Sequence, residues 1–192
     1  MDREDAEMPI VIGAKPESDF ADPIGLLTDC HRRIERFLSV LAQVGAQAQG
    51  GSLTSEQRTA LETALRYFRE SAPKHTADEE QTLFPRLRSV DRPEVKAVLA
   101  SVDSLESDHC QAEKSHAEVD RLGQAWLAAG SLPPNDGTRF TALVAGLAEL
   151  YREHIAVEEH EVFPVAAAVL GKLQHDAMGG EMAARRGLRQ SL

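Results

Sequence analysis

Two similar stretches decide the fold: Tyr151–Pro164, YREHIAVEEHEVFP, and Phe68–Pro85, FRESAPKHTADEEQTLFP. An offset of 79 residues aligns a histidine, two adjacent glutamates and a Phe-Pro pair in both stretches: His154 with His75, Glu158 with Glu79, Glu159 with Glu80, Phe163 with Phe84, and Pro164 with Pro85. This agreement indicates that one helical segment is present twice in the chain.

A second pair of histidines precedes the aligned stretches. His31 and His109 lie 78 residues apart, and each has a glutamate four residues later, Glu35 and Glu113. The sequence therefore predicts a duplicated two-helix unit, with His-x-x-x-Glu on all four predicted helices. Because residues four apart on a helix are neighbours on one face, each pair is spaced to reach a common ion.

The composition is that of a globular protein, with 42% hydrophobic and 27% charged residues in 192. This length suits one domain. A net charge of −10 argues against nucleic acid as a partner. The two cysteines, Cys30 and Cys110, form no CxxC pair and are expected to be packed thiols. The sequence shows no secretory signal and no apolar run long enough for a membrane span, so we expect a cytoplasmic protein.

Helical periodicity and breakers predict an all-α fold, an antiparallel four-helix bundle built from duplicated helix pairs with pseudo-two-fold symmetry. Helices should begin at Asp22-Pro23, at the Thr54/Gln57 capping box, after Pro93 and at Asp136 as N-cap. A kink is expected at Pro73, two residues before His75. The bundle should span residues 22–171, after a mobile arm (1–21) and before an extension (172–192) that can hold a short helix near residues 181–186.

Each of the four repeated histidines lies on the apolar stripe of its helix, where core residues belong. A buried ionised carboxylate costs several kcal/mol unless it is paired, and shared dications would offset that cost. We predict six metal ligands: His31, His75, Glu79, His109, His154 and Glu158. One ion would take the first two histidines and the second ion the other two, with the glutamates as bridges. Glu79 and Glu158 are chosen over Glu80 and Glu159, which lie about 100° around the helix.

Other residues near this pattern stay open at the level of sequence. Glu35 and Glu113 can be further ligands, partners of the ligands, or plain helical neighbours. His116 lies on the inward stripe seven residues after His109, about 10 Å along the helix axis. That separation is too long for a metal pair, so we expect His116 in the core or next to a ligand. Imidazole and carboxylate donors suit iron, and manganese or zinc would fit them too.

The motifs LTDCH, KHTADEEQTLFP and REHIAVEEHEVFP, together with the third-helix histidine, resemble the hemerythrin-like (HHE cation-binding) family over roughly residues 22–170. The resemblance implies a four-helix bundle that holds two iron ions in an oxo- or hydroxo-bridged centre. Members of that family include oxygen carriers, sensors of oxygen or iron, and proteins tied to nitrosative stress and the repair of iron centres.

The sequence departs from the oxygen-carrier pattern at two places. Carriers have His-x-x-x-His on the third helix, where this chain has His109 and Glu113, and they end in His-x-x-x-x-Asp, where this chain has His154 followed by Glu158-Glu159. It is more similar to the four-histidine branch that includes the iron-sensing domain of a eukaryotic F-box protein.

We therefore expect a non-haem di-iron protein that binds or senses oxygen, redox state or iron. Its ligand would be dioxygen, another small diatomic molecule or peroxide. The first alternative is a di-iron enzyme that acts on peroxide or nitric oxide or repairs iron centres. The second is a zinc-filled or metal-free structural bundle. The sequence leaves enzyme activity open but favours a binding or sensing protein, and it assigns no catalytic residue.

Overall fold

The computed structural model describes residues 18–188, which form helices and short connections without a β-strand. The α-helices are α1 (Pro23–Ala48), α2 (Ser55–Glu70), α3 (Ala72–Asp78), α4 (Phe84–Arg88), α5 (Pro93–Ala129), α6 (Pro134–Val157), α7 (Phe163–Val169) and α8 (Lys172–Arg185). Two π-helical turns, Glu79–Leu83 and Glu158–Val162, join α3 to α4 and α6 to α7. Within this described range, no helix is both long and apolar enough to cross a membrane.

Local capping explains where the helices begin. The Asp22 side chain accepts a hydrogen bond from the Gly25 backbone at 3.0 Å, and Thr54 and Gln57 form the predicted capping box. The prediction of Asp136 as an N-cap is wrong, because α6 already begins at Pro134. Proline suits the first turn of a helix, and the Asp136 carboxylate lies instead in that turn, near the positive end of the helix dipole.

The long helices pack in a ring of neighbours, since α1 contacts α2 and α6, and α5 contacts the same two helices. The core has two apolar clusters, one around Trp126 and Phe140 and the other around Phe84 and Met182. The repeated histidines lie between these clusters. On α1, for example, the sequence passes from one cluster through His31 into the other.

The predicted break at Pro73 is confirmed, because α2 ends at Glu70 and α3 begins at Ala72. The two π-helical turns were not predicted, although each begins at a repeated glutamate. A proline ring clashes with the carbonyl four residues earlier, and a π-turn widens the backbone at that point. Pro85 and Pro164 follow the two turns in the first turn of α4 and of α7. The repeated Phe-Pro pairs were therefore the available signal.

Helix α8 belongs to the C-terminal extension and is longer than the short helix expected near residues 181–186. It packs against α1, α3 and the first π-turn, and it buries Met178 and Met182 completely. Arg185 and Arg186 both donate hydrogen bonds to the fully buried carboxylate of Asp78. The extension is thus anchored to the segment that carries His75 and Glu79. Residues 1–17 of the predicted arm lie outside the described residues.

Candidate metal centre

The structure brings all six predicted ligand residues together in the interior, and none is more than 7% exposed. They form two overlapping groups, in each of which the ligand atoms lie within 4.8 Å of one another. His31 and His75 belong to one group and His109 and His154 to the other. Glu79 and Glu158 belong to both groups. The two groups are therefore adjacent and share both carboxylates.

The shared carboxylates face histidines from both groups. Glu79 places one oxygen 3.1 Å from Nε2 of His75 and its other oxygen 3.3 Å from Nε2 of His109. Oε2 of Glu158 lies 3.0 Å from Nε2 of His31 and 3.3 Å from Nε2 of His154. Each glutamate therefore spans the two groups, so all four imidazoles present Nε2 to the same small volume.

Polar atoms in this volume fit a cation. Both carboxylate oxygens of Glu79 and of Glu158, and Nε2 of His31 and of His154, are buried without a hydrogen-bond partner among residues 18–188. The short distances between these nitrogen and oxygen atoms are therefore not hydrogen bonds. Unpartnered buried carboxylates are strongly destabilising. A bound dication would supply the missing interactions, and the mixed nitrogen and oxygen donors suit iron, manganese or zinc.

Acidic side chains behind the site orient three of the imidazoles through Nδ1. Glu159 lies 2.9 Å from Nδ1 of His31, and Glu80 lies 2.9 Å from Nδ1 of His109. Asp108 lies 3.4 Å from Nδ1 of the fourth-helix histidine, His154. A carboxylate at Nδ1 fixes the tautomer and leaves Nε2 free for an ion. Glu80 and Glu159 thus lie behind histidines of the two groups and belong to neither group.

The electrostatics of the site differ between its histidines. Burial lowers the pKa of His75 to about 4, which keeps its imidazole neutral. Burial also lowers the pKa of His109, but Glu79 and Glu80 outweigh it and raise that pKa to about 9. Burial raises the pKa of Glu79, yet the surrounding histidines outweigh burial and hold that pKa well below its usual range. The interior therefore keeps this carboxylate ionised.

The sequence left the role of Glu35 and Glu113 open, and the structure places both outside the buried site. Glu35 and Glu113 are exposed, and neither belongs to the groups found within residues 18–188. A residue four positions after a histidine is rotated about 40° from it. On α1 and α5 this rotation points the glutamate to solvent, where Glu35 pairs with Arg32.

Two residues beside the site carried no clear sequence signal. Asp108 precedes His109 in sequence but contacts His154 on another helix, so local spacing could not reveal its role. Tyr151 accompanies His116, whose Nε2 lies 3.2 Å from the tyrosine hydroxyl. His116 was expected in the core or beside a ligand, and its ring stacks on Phe68 at 4.3 Å.

Comparison with known families agrees with this geometry. The family model described as "Hemerythrin HHE cation binding domain" matches residues 22–166. The chain belongs to this hemerythrin family. The family predicted from the repeated motifs is therefore confirmed, and so is an all-helical fold for the described residues. The described residues of this hemerythrin-family protein include two buried His/Glu groups that are compatible with metal binding.

The hemerythrin-family chain is also similar to a protein of Haemophilus influenzae that carries the name "Uncharacterized protein". The two are 29% identical over 169 residues, which cover 88% of this chain and 92% of that protein. The similarity therefore extends over nearly the whole of both chains.

Proposed function

We propose that this protein holds two iron ions and uses them to bind or sense dioxygen, redox state or iron. One ion would be held by His31 and His75 and the other by His109 and His154. The observation that supports two ions, rather than one, is the membership of Glu79 and Glu158 in both ligand groups.

A bound iron pair would supply ferrous–ferric redox chemistry and a position for dioxygen, another diatomic molecule or peroxide. The chain's own residues would hold and tune that pair. The shared carboxylates bring negative charge, which favours the more highly charged ferric state. Glu80 and Glu159 would keep the imidazoles of His109 and His31 pointed at the ions.

We also propose a more specific fold for the chain. The ring of contacts among α1, α2, α5 and α6, and the short connections between them, support an antiparallel four-helix bundle. The equal offsets in the sequence support a pseudo-two-fold relation between its halves. A cytoplasmic setting is also proposed, and the free thiols of Cys30 and Cys110 accord with a reducing compartment.

Metal analysis of the purified protein tests the proposal. Protein reconstituted anaerobically with ferrous iron should approach two irons per chain and develop ferric absorption when oxygen is admitted. Magnetic coupling between the ions should be detectable in the oxidised sample. A plateau at one iron without coupling would contradict the dinuclear site. Zinc that cannot be exchanged for iron would favour the structural alternative.

A second candidate is a di-iron enzyme that acts on peroxide or nitric oxide or repairs iron centres. A pocket that reaches His109 from the surface favours this reading, because it offers a route for a reactant to one side of the site. Repeated turnover of hydrogen peroxide by iron-loaded protein would support the enzyme. A single stoichiometric oxidation of the ferrous protein would support the sensor.

A further inference from the structure

The four histidines of the site differ in what lies behind them. Nδ1 of His31, of His109 and of His154 faces a carboxylate oxygen at 2.9, 2.9 and 3.4 Å respectively. Nδ1 of His75, by contrast, is buried without a hydrogen-bond partner among residues 18–188. His31 and His75 form the first group, and the other two histidines form the second. The first group therefore has one carboxylate behind its imidazoles, and the second group has two.

The sequence repeat identifies the residue that differs behind His75. Asp108 directly precedes the ligand histidine of α5 and contacts His154 of α6. The offset of 78 residues aligns Asp108 with Cys30, which directly precedes the ligand histidine of α1. Helix α1 contacts α3, which carries His75, as α5 contacts α6. Cys30 is therefore the counterpart of Asp108 in the first half of the chain.

The thiol of Cys30 does not replace the carboxylate of Asp108. It is free and buried, and the unpartnered Nδ1 of His75 shows that no hydrogen bond joins the two side chains. A thiol is a weak hydrogen-bonding group and is uncharged at pH 7, whereas a carboxylate is an anionic acceptor. A carboxylate at Nδ1 fixes the ring of a metal-bound histidine and makes its other nitrogen a stronger donor. His75 lacks both effects.

Positive charge also distinguishes the first group. Its one carboxylate, Glu159, is paired with Arg32 at 2.6 Å. Among residues 18–188, neither Glu80 nor Asp108 forms an ion pair with a lysine or an arginine. A neighbouring guanidinium offsets part of the negative charge that a carboxylate presents to an imidazole. The surroundings of the second group are therefore the more anionic, and they favour a cation more strongly.

We infer that Asp108 is a positioning residue that makes the two ion positions unequal, so that the second group fills first and the first group, with Cys30 in the aligned place, fills last. The inference rests on the proposed metal centre but not on which metal the centre holds. Loss of a partner behind a ligating histidine costs tenfold or more in metal affinity. We expect a difference of about tenfold in Kd. Occupancy of the first group would then follow the concentration of free metal while the second group stays filled.

Stepwise addition of zinc to the metal-free full chain tests the order of filling. Zinc is redox-inactive and accepts the same nitrogen and oxygen donors. Proton–nitrogen NMR of protein labelled in its histidine rings follows each ligand separately. A tenfold difference in Kd fills at least about three quarters of the second group at one equivalent, and at most about one quarter of the first. Equal filling of the two groups, or the reverse order, would overturn the inference.

Exchange of the two aligned residues separates positioning from general stability. Cys30→Asp supplies a carboxylate behind His75, and the signal of its Nδ1 proton should shift downfield as it gains a charged acceptor. Asp108→Cys removes the carboxylate behind His154 and should weaken the second group about tenfold. The double variant should reverse the order of filling, which a loss of stability alone would not do. An unchanged order in the double variant would contradict the role of Asp108.

Two controls carry the same substitutions at positions without a contact to a ligand nitrogen. Cys110→Asp adds a carboxylate directly after His109, where the thiol is exposed. Asp103→Cys removes a carboxylate from the same helix, where the side chain is 69% exposed and pairs with Arg88. Both controls should keep the wild-type order of filling. A control that changed the order as much as its matched variant would show that contact with Nδ1 is not the cause.

Asp108→Asn covers the case in which the exchange variants fail to fold. The side chain is 35% exposed, so the amide keeps the size and an acceptor oxygen while it removes the charge. This variant should weaken the second group several-fold, by about half the effect of Asp108→Cys on a logarithmic scale. Zinc affinity of the second group equal to that of the wild type would contradict the inference.

The same titration separates this inference from the proposed function. A single zinc held by His109 and His154 would support the unequal positions and contradict the dinuclear centre. Two zinc ions that fill in the reverse order would reject the role of Asp108 and leave the dinuclear centre standing. Zinc in neither group would reject both.

Discussion

The two halves of the buried site match in the atoms that face each other and differ in what surrounds them. In the first half, α8 is anchored through Asp78 to the segment that carries His75. In the second half, His109 borders an open pocket of about 440 Å³. The repeat thus preserves a set of buried His and Glu residues, while access and electrostatic surroundings have diverged around it.

The difference shows that a duplicated motif can build an asymmetric centre. Two ions held by equivalent histidines would still have unequal exposure to incoming molecules, because the pocket reaches only His109 among the four. We expect reactants to approach the second ion and the first ion to be held in a closed environment.

The shared carboxylates should matter to both halves at once. Metal bound only by the folded state adds about 4 kcal/mol of stability at a thousandfold excess over Kd. For 192 residues this corresponds to roughly 8–16 °C in Tm. Glu79→Gln removes a charge from both ion positions and should abolish most of that iron-induced rise, measured by calorimetry with and without iron.

Glu35 and Glu113 also follow a histidine by four residues, but their side chains are exposed, so they serve as controls for Glu79. Glu35→Gln and Glu113→Gln should keep the full iron-induced rise in Tm. If either of them lost as much as Glu79→Gln, the assignment of bridging carboxylates would be wrong.

The anchoring of α8 belongs to the first half alone. Replacement of both Arg185 and Arg186 by Met leaves the fully buried Asp78 carboxylate without these partners, which should cost about 3 kcal/mol. The added change Asp78→Val introduces the residue found at the aligned position 157 and should recover more than half of that loss. Urea unfolding measures both effects. A triple variant no more stable than the double would show that the buried charge is not the cause.

The histidines should each affect one ion. His75→Ala removes a ligand of the first group and His154→Ala a ligand of the second, so each should lower the iron content from about two to about one per chain. Elemental analysis after desalting gives the stoichiometry. Retention of two irons by either variant would refute the division into groups.

The carboxylates at Nδ1 should have the smallest effect. Glu159→Gln and Glu80→Gln remove the negative partners of His31 and His109, and each should weaken metal affinity by about tenfold. Glu159 should matter more, because its side chain is 19% exposed and that of Glu80 is 35% exposed. Chelator competition measures the two affinities, and the opposite ranking would contradict this dependence on burial.

The spacing of residues along each helix was enough to predict which side chains are buried in the site. The stripe argument selected Glu79 and Glu158 over their neighbours, and the structure buries the selected pair completely. It left Glu35 open, because a position 40° away from a ligand can face either an ion or solvent until the neighbouring helices are placed. The π-turns were missed because proline was read only as a breaker, whereas here Pro85 follows a widened turn.

The sequence by itself determined the family, the helical class and the six residues that meet in the interior, because helical periodicity and the repeat act within each segment. Tertiary structure decided which carboxylates lie behind the imidazoles, how α8 is anchored, and where a pocket opens. Asp78 and Arg186, for example, are 108 residues apart in the chain. Contacts of that kind depend on how the helices pack against one another, and no local pattern encodes them.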